Sequence, residues 1–188
     1  MVIKKIVVFC GSSLGFNSTY KDAAIELGNY FVNKNIELVY GGGKIGMMGV
    51  LADTILAQNG AVTGVIPKLL KKDEVVHPEV SNMLITKTMS ERKVLMSKMV
   101  DAYITLPGGL GTLDELFEAL TINQLDIEQK PIAILNINGF FDMTLLQLDK
   151  MVKEGYLNPE SRKLLIEDTS VKGIMEKIST YKPQQKTL

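Results

Sequence analysis

Apolar positions along the chain fall into short β-branched runs that alternate with stretches of helical spacing. Ile6–Cys10 is an unbroken apolar run, the pattern of a strand buried on both faces. Ala23, Ala24, Leu27, Tyr30 and Phe31 then fit one face of a helix. Ile36–Tyr40 reads as a second strand, Val50–Leu56 as a helix, and Ala61–Ile66 as a third strand closed by Pro67. Residues 68–82 are charged and irregular, a lid or rim, and a short strand follows at Leu84–Thr86. Helix Met89–Val100, strand Ala102–Leu106 and helix Thr112–Leu125 come next. Strand Pro131–Leu135, helix Phe141–Val152, a short strand Leu164–Ile166 and a helix from Ser170 to Ile178 complete the pattern. The end of the chain is polar, so residues 1–181 are expected to form one domain and 182–188 a flexible tail.

Strands alternating with helices, with no repeat or linker between them, predict a single α/β domain. Its sheet should be parallel and doubly wound, with helices on both faces. Ligands of such sheets bind beyond the carboxyl ends of the strands. Three glycine-rich loops follow strands here, at 11–15, 41–49 and 107–111, so all three should rim one crevice.

Bulk properties narrow the function. A chain of 188 residues can bury roughly 70% of its unfolded surface without a covalent staple. Its 21 basic and 21 acidic residues balance, which speaks against a nucleic acid polymer or an anionic membrane surface as partner. One cysteine, Cys10, and one histidine, His77, leave no internal disulfide and argue against a structural zinc site. The start imitates a signal peptide, but its apolar run of five is too short. No run approaches the ~20 apolar residues of a membrane span. The expected location is cytoplasmic.

The stretch richest in chemistry is Leu106-Pro-Gly-Gly-Leu-Gly-Thr-Leu-Asp-Glu115. Leu113, Leu116, Phe117 and Leu120 continue it with helical spacing, so it reads as strand, glycine loop and helix N-terminus. Free N–H groups and the positive helix end there suit an anion, most often phosphate. Gly108, Gly109 and Gly111 let the backbone approach closely, and Thr112 adds a hydroxyl. The rival reading is a capping box, Thr112-x-x-Glu115, in which both side chains only satisfy their own helix end.

Other motifs weaken on inspection. Gly41-x-Gly43-x-x-Gly46 matches the dinucleotide fingerprint, but no acidic residue stands about 20 positions on. Gly42 and Gly43 read better as a phosphate or ribose wall, or as tight helix–sheet packing. Gly11-Ser12-Ser13-Leu14-Gly15 has the spacing of a nucleophile elbow but follows the first strand, where that elbow does not occur. Ser12 and Ser13 remain hydroxyl donors to a ligand, or a helix cap. Lys44 is followed by Ile45, which excludes a P-loop. Arg92 shares a helix face with Met89, Met96 and Met99, unusual for an arginine unless it is paired or snorkels outward.

Taken together these residues resemble the LONELY GUY (LOG) family of cytokinin riboside 5'-monophosphate phosphoribohydrolases, often labelled lysine decarboxylases. Pro107-Gly-Gly-x-Gly-Thr-x-x-Glu115 and Met89-x-x-Arg92-Lys93 look like its paired signature. Phe9-Cys-Gly-Ser-Ser13, Val39-Tyr-Gly-Gly-Gly43, Gly46-x-Met-Gly49, Gly64-Val-Ile-Pro67 and Lys130-Pro131 extend the likeness over nearly the whole chain. The resemblance implies a Rossmann-like fold, a homodimer, no cofactor or metal, and a nucleoside 5'-monophosphate, cytokinin riboside 5'-monophosphate or AMP, as substrate. It places Arg92 and Glu115 as the catalytic pair. Ser13, Gly42, Gly43, Met89, Lys93, Gly108, Gly109, Gly111 and Thr112 become substrate-binding candidates. Two positions depart from the pattern: Ser90 stands where many members have His, and Ile122 where many have Trp. A carrier or sensor of the same fold that binds the nucleotide without turnover is the alternative.

Overall fold

β1 (Lys5–Phe9) is buried on both faces from Ile6 onward, as its unbroken apolar run requires. The computed structural model describes residues 2–72, 75–80 and 82–183. After β1 come α1 (Ser18–Lys34), β2 (Glu37–Tyr40), α2 (Gly46–Leu56), β3 (Val62–Pro67) and β4 (Asn82–Thr86). Then follow α3 (Met89–Met99), β5 (Ala102–Thr105), α4 (Leu110–Gln124), β6 (Ile132–Leu135) and α5 (Asp142–Lys153). A short α6 (Pro159–Arg162), β7 (Leu165–Asp168) and α7 (Val171–Ser179) end the fold. All pairings are parallel, in the order β4-β3-β2-β1-β5-β6-β7.

The two faces of the sheet are covered by different helices. Ala24, Leu27 and Phe31 of α1, Leu51 and Ile55 of α2, and Ile174 and Ile178 of α7 pack on one face. Met96 of α3, Leu116 and Ala119 of α4, and Leu145 and Leu148 of α5 pack on the other. The parallel, doubly wound sheet expected from the alternation is therefore present. The chain winds outward from β1 to β4, then returns to the far side of β1 as β5. That reversal leaves a crevice between the loops after β1 and β5. The two loops are stitched there: Leu106 N–H donates to Phe9 O (2.9 Å) and Gly11 N–H to Pro107 O (3.1 Å).

Several boundaries differ from expectation. α2 starts at Gly46 rather than Val50, and α4 at Leu110 rather than Thr112. In both, residues read as loop form the first helical turn, because glycine hides the helical periodicity. α6 was not anticipated, although Asn158 caps it and Pro159 opens it. Part of the stretch read as a lid is ordered: Lys68–Leu70 forms one 3-10 turn, and Val76 pairs with Gly43. Asp73, Glu74 and Ser81 of that stretch lie outside the described residues, as does the tail from residue 184. Among the described residues no helix is long and apolar enough to cross a membrane.

Candidate active site

α3 is capped by Thr88, whose hydroxyl accepts from Glu91 N–H (3.1 Å), while Glu91 Oε2 accepts from Lys87 N–H (2.8 Å). This start places Arg92 one turn in and turned towards the sheet. Arg92 does not snorkel. Its Nε donates to Val65 O (2.9 Å) within β3, and its Nη1 donates to Glu115 Oε1 (2.6 Å) on α4. The side chains are only 10% and 11% exposed. Among the described residues the second carboxylate oxygen of Glu115 takes no hydrogen bond. A buried pair of this kind is weak evidence of a stabilising device, because desolvation offsets most of the attraction. Its position at the crevice gives it a functional reading instead.

The capping-box alternative does not hold. The residue capping α4 is Gly109, with no side-chain cap bond, and Thr112 is already the third helical residue. Glu115 therefore cannot reach back to a Thr112 cap, and its partner is Arg92. Glu115 also sits beyond the first turn, where the helix dipole has faded. Burial pushes its carboxyl above the ordinary value, opposed by the attraction of and hydrogen bond from Arg92.

The glycines divide by what surrounds them. A Cβ on Gly108 would lie 2.1 Å from Thr112 Oγ1 and 2.8 Å from Gly11 N, so that glycine closes the two loops on each other. A Cβ on Gly109 or Gly111 would meet nothing within 4 Å. Neither has a positive φ that would demand glycine. Both are open on the side a Cβ would occupy, and Gly109 also serves as the N-cap of α4. The second loop is different. A Cβ on Gly41 would lie 2.6 Å from Arg92 Nη2, so Gly41 makes the seat on which the guanidinium lies. Gly42 packs under Met83 and Ile66, and Gly43 under Met48.

A cavity of about 290 Å³ brings together Met89, Arg92, Gly109, Gly111, Thr112 and Glu115, with Cys10 among its other walls. Burial and the Glu115 charge push the Cys10 thiol well above its ordinary value, so it is a wall and no nucleophile. Thr112 is buried and its hydroxyl has no hydrogen-bond partner among the described residues. Ser13 and Gly108 line a neighbouring cavity that shares Gly109. Gly42, Gly43 and Lys93 are brought close but turned to protein partners. Lys93 Nζ pairs with Asp114 (3.1 Å) and with Glu118, tying α3 to α4 beside Arg92 and Glu115. Ile122 lines a third, apolar cavity of about 180 Å³ between α3 and α4, which also touches Glu115, while Ser90 is exposed. The backbone carbonyl of Val65 and the seat at Gly41 escaped the sequence reading. The first has no sequence signal, and the second lay hidden in a motif read as a ligand wall.

Residues 48–178 match a family described as "Possible lysine decarboxylase". The chain is 44% identical over 181 residues to the cytokinin riboside 5'-monophosphate phosphoribohydrolase LOG1 of Arabidopsis thaliana, covering 96% of this chain and 85% of that protein. It is 42% identical over 180 residues to LOG3 of the same plant, covering 96% and 84%. The probable enzyme LOGL3 of Oryza sativa subsp. japonica is 40% identical over 180 residues, covering 96% and 85%. Among solved structures, the molybdenum cofactor binding protein of Rippkaea orientalis superposes with a TM-score of 0.71 at 23% identity, covering 96% of this chain and 98% of that one. A Moco carrier protein of Chlamydomonas reinhardtii gives 0.69 at 18%, covering 94% and 95%. At those identities the structural likeness is one of fold.

Proposed function

The chain belongs to the LONELY GUY (LOG) family, and from that premise we propose that it hydrolyses the N-glycosidic bond of a nucleoside 5'-monophosphate, releasing free base and ribose 5-phosphate. The observation that carries the reading is the buried Arg92–Glu115 pair beside a helix N-terminus left bare by Gly109 and Gly111. The N–H groups of Leu110 and Gly111 lie in the first turn of α4, where helices have no internal partner to offer. With the Thr112 hydroxyl they form the seat for the 5'-phosphate. Binding there lays the ribose towards Glu115.

Cleavage of the C1'–N bond builds positive charge on the ribose as the base leaves. The carboxylate of Glu115 faces that charge and takes a proton from the attacking water, and the proton so released balances the one the departing base takes up at a ring nitrogen. Arg92 opposes the cost of burying the Glu115 carboxylate and holds it in place through Val65 and the Gly41 seat. Met89 walls the nucleotide on the α3 side. Ser13 and Gly108 support the phosphate loop from its other side. None of these steps calls for a metal or an organic cofactor. The lysine decarboxylase description finds no counterpart in the site. Lys93, the lysine beside Arg92, has its pKa raised by its hydrogen bond to Glu118, the opposite of what Schiff-base chemistry needs.

Assembly is part of the same reading. Val94, Leu125 and Ile127 are exposed apolar residues on and after α3 and α4, and a two-fold partner over that face gives a homodimer. A cytoplasmic location fits as well, since the lone buried thiol needs no oxidising compartment. Incubation with AMP and with isopentenyladenosine 5'-monophosphate tests the activity. Free base and ribose 5-phosphate in equal amounts are expected. Absence of base from both substrates, with binding retained, would leave a carrier or sensor as the better account. Sedimentation at micromolar concentration tests the dimer, and a species of only 20.7 kDa would overturn it.

A further inference from the structure

The crevice continues beyond the cavity that holds Arg92 and Glu115. On the far side of Gly109 from Glu115 lies the second cavity, about 250 Å³, which shares the backbone of Gly11, Ser12 and Gly109 with the first. Its far wall is apolar and aromatic: Leu14, Tyr20, Met47 and Phe140. The rings are fixed in advance. Phe140 meets Tyr20 edge-on at 5.7 Å and 78°, and meets Phe141 at 4.9 Å and 82°. Phe141 is wholly buried and anchors the pair, while Phe140 remains 42% exposed.

We propose that this second cavity takes a planar apolar group carried on the substrate's phosphate, so that the crevice also binds nucleoside 5'-phosphodiesters whose second ester is aromatic. The inference rests on the phosphate seat of the proposed function. Three observations point to it. The missing side chain of Gly109 is required neither by its φ of −95° nor by any atom within 4 Å, and it stands where a ligand crosses from one cavity to the other. None of the residues lining the second cavity is charged, so a further phosphate finds no cation there. Ring faces and edges held before binding are the wall a planar aromatic group stacks on, at small entropic cost. Ser13 lines the second cavity next to the shared Ser12, its oxygen accepting from Gly15 N–H (3.4 Å), which leaves the hydroxyl hydrogen to donate to an ester oxygen.

The test compares two monoanionic diesters, adenosine 5'-phenyl phosphate and adenosine 5'-methyl phosphate. Calorimetry on the Glu115→Gln protein measures both affinities without turnover. The phenyl ester should bind about tenfold more tightly, the gain expected of one aromatic contact. In Phe140→Ala, made in the same background, the ratio between the two esters should fall towards one. The methyl ester bound by the same preparation reports that the site is folded. Equal affinities in the parent, or a phenyl advantage that survives both Phe140→Ala and Tyr20→Leu, would overturn the proposal. Failure of the wild-type protein to release adenine from AMP would instead strike the proposed function, so the two outcomes are separable.

Discussion

Two glycine loops with nearly the same composition do opposite work in this molecule. Each follows a buried strand and each opens a helix, yet the loop at 41–46 is filled by protein while the loop at 107–111, packed at Gly108, is open at Gly109 and Gly111. Gly41, Gly43 and Gly46 leave room for Arg92, for Met48 and for the Ser12–Ser13 peptide. Gly109 and Gly111 leave room for nothing that belongs to the chain. The lesson is that a glycine count after a strand signals close approach without saying to what. Only the surroundings separate a packing glycine from a ligand glycine.

The sharpest way to break this contrast is to disable the acid that the empty loop serves. Glu115→Gln keeps the side chain's size and removes its charge. Turnover of AMP should fall by roughly 100-fold or more, about 2.7 kcal/mol of transition-state stabilisation, while AMP still binds at the untouched phosphate seat. Adenine release near the wild-type rate would mean that the pair only ties α3 to α4.

Substitutions within the loops should then separate stability from binding. Gly46 has φ +65°, and a Cβ on it would lie 2.2 Å from the carbonyl carbon of Ser12. Gly46→Ala should cost about 2 kcal/mol of stability, read from urea unfolding, through a strained backbone and a clash with main chain that cannot move aside. Gly111→Ala, in the first turn of α4, should leave the melting temperature unchanged or slightly higher, since alanine favours helix. The same change should raise KM for AMP about tenfold, the effect of one methyl group intruding on a phosphate seat. A Gly111→Ala protein with unaltered KM would place the phosphate elsewhere.

How much of this was legible in the sequence follows from the same physics. The five inner strands are short apolar runs largely buried on both faces, and such runs announce themselves, whereas the half-exposed edge strands β4 and β7 were placed less closely. Arg92 was visible because a cation on the methionine face of a helix demands an explanation, and Glu115 because it stands one turn beyond a glycine loop. Helix starts at Gly46 and Leu110 were misplaced, because glycine carries no side chain from which to read a period. That Glu115 answers Arg92 rather than Thr112 was not legible. The sequence separation of 23 residues is spanned by β5, and only the order β1-β5 brings α3 and α4 side by side. The roles of Gly42, Gly43 and Lys93 were hidden for a similar reason, since Met83, Met48 and Glu118 reach them from other elements.

The smallest expected effect is also the most diagnostic of the empty loop's partner. Burial raises the Glu115 carboxyl in the folded chain, whereas in the unfolded chain it titrates at its ordinary value. Between those two values the native state binds more protons than the unfolded state. This group's contribution to stability is therefore greatest below the ordinary value and is lost as pH rises through the raised one. Asp168 runs the other way: hydrogen bonds from Lys177 and Ser170 lower it to about 2, so its contribution is lost as pH falls towards that value. The wild-type curve alone mixes these groups, but the difference between wild type and Glu115→Gln isolates one. Measured by urea unfolding between pH 4 and 7, that difference should move in favour of wild type as pH falls. Over the same window AMP turnover should fall, since only the carboxylate faces the developing cation usefully. A stability difference that stays flat, with turnover flat beside it, would mean that Arg92 fully offsets the burial of Glu115.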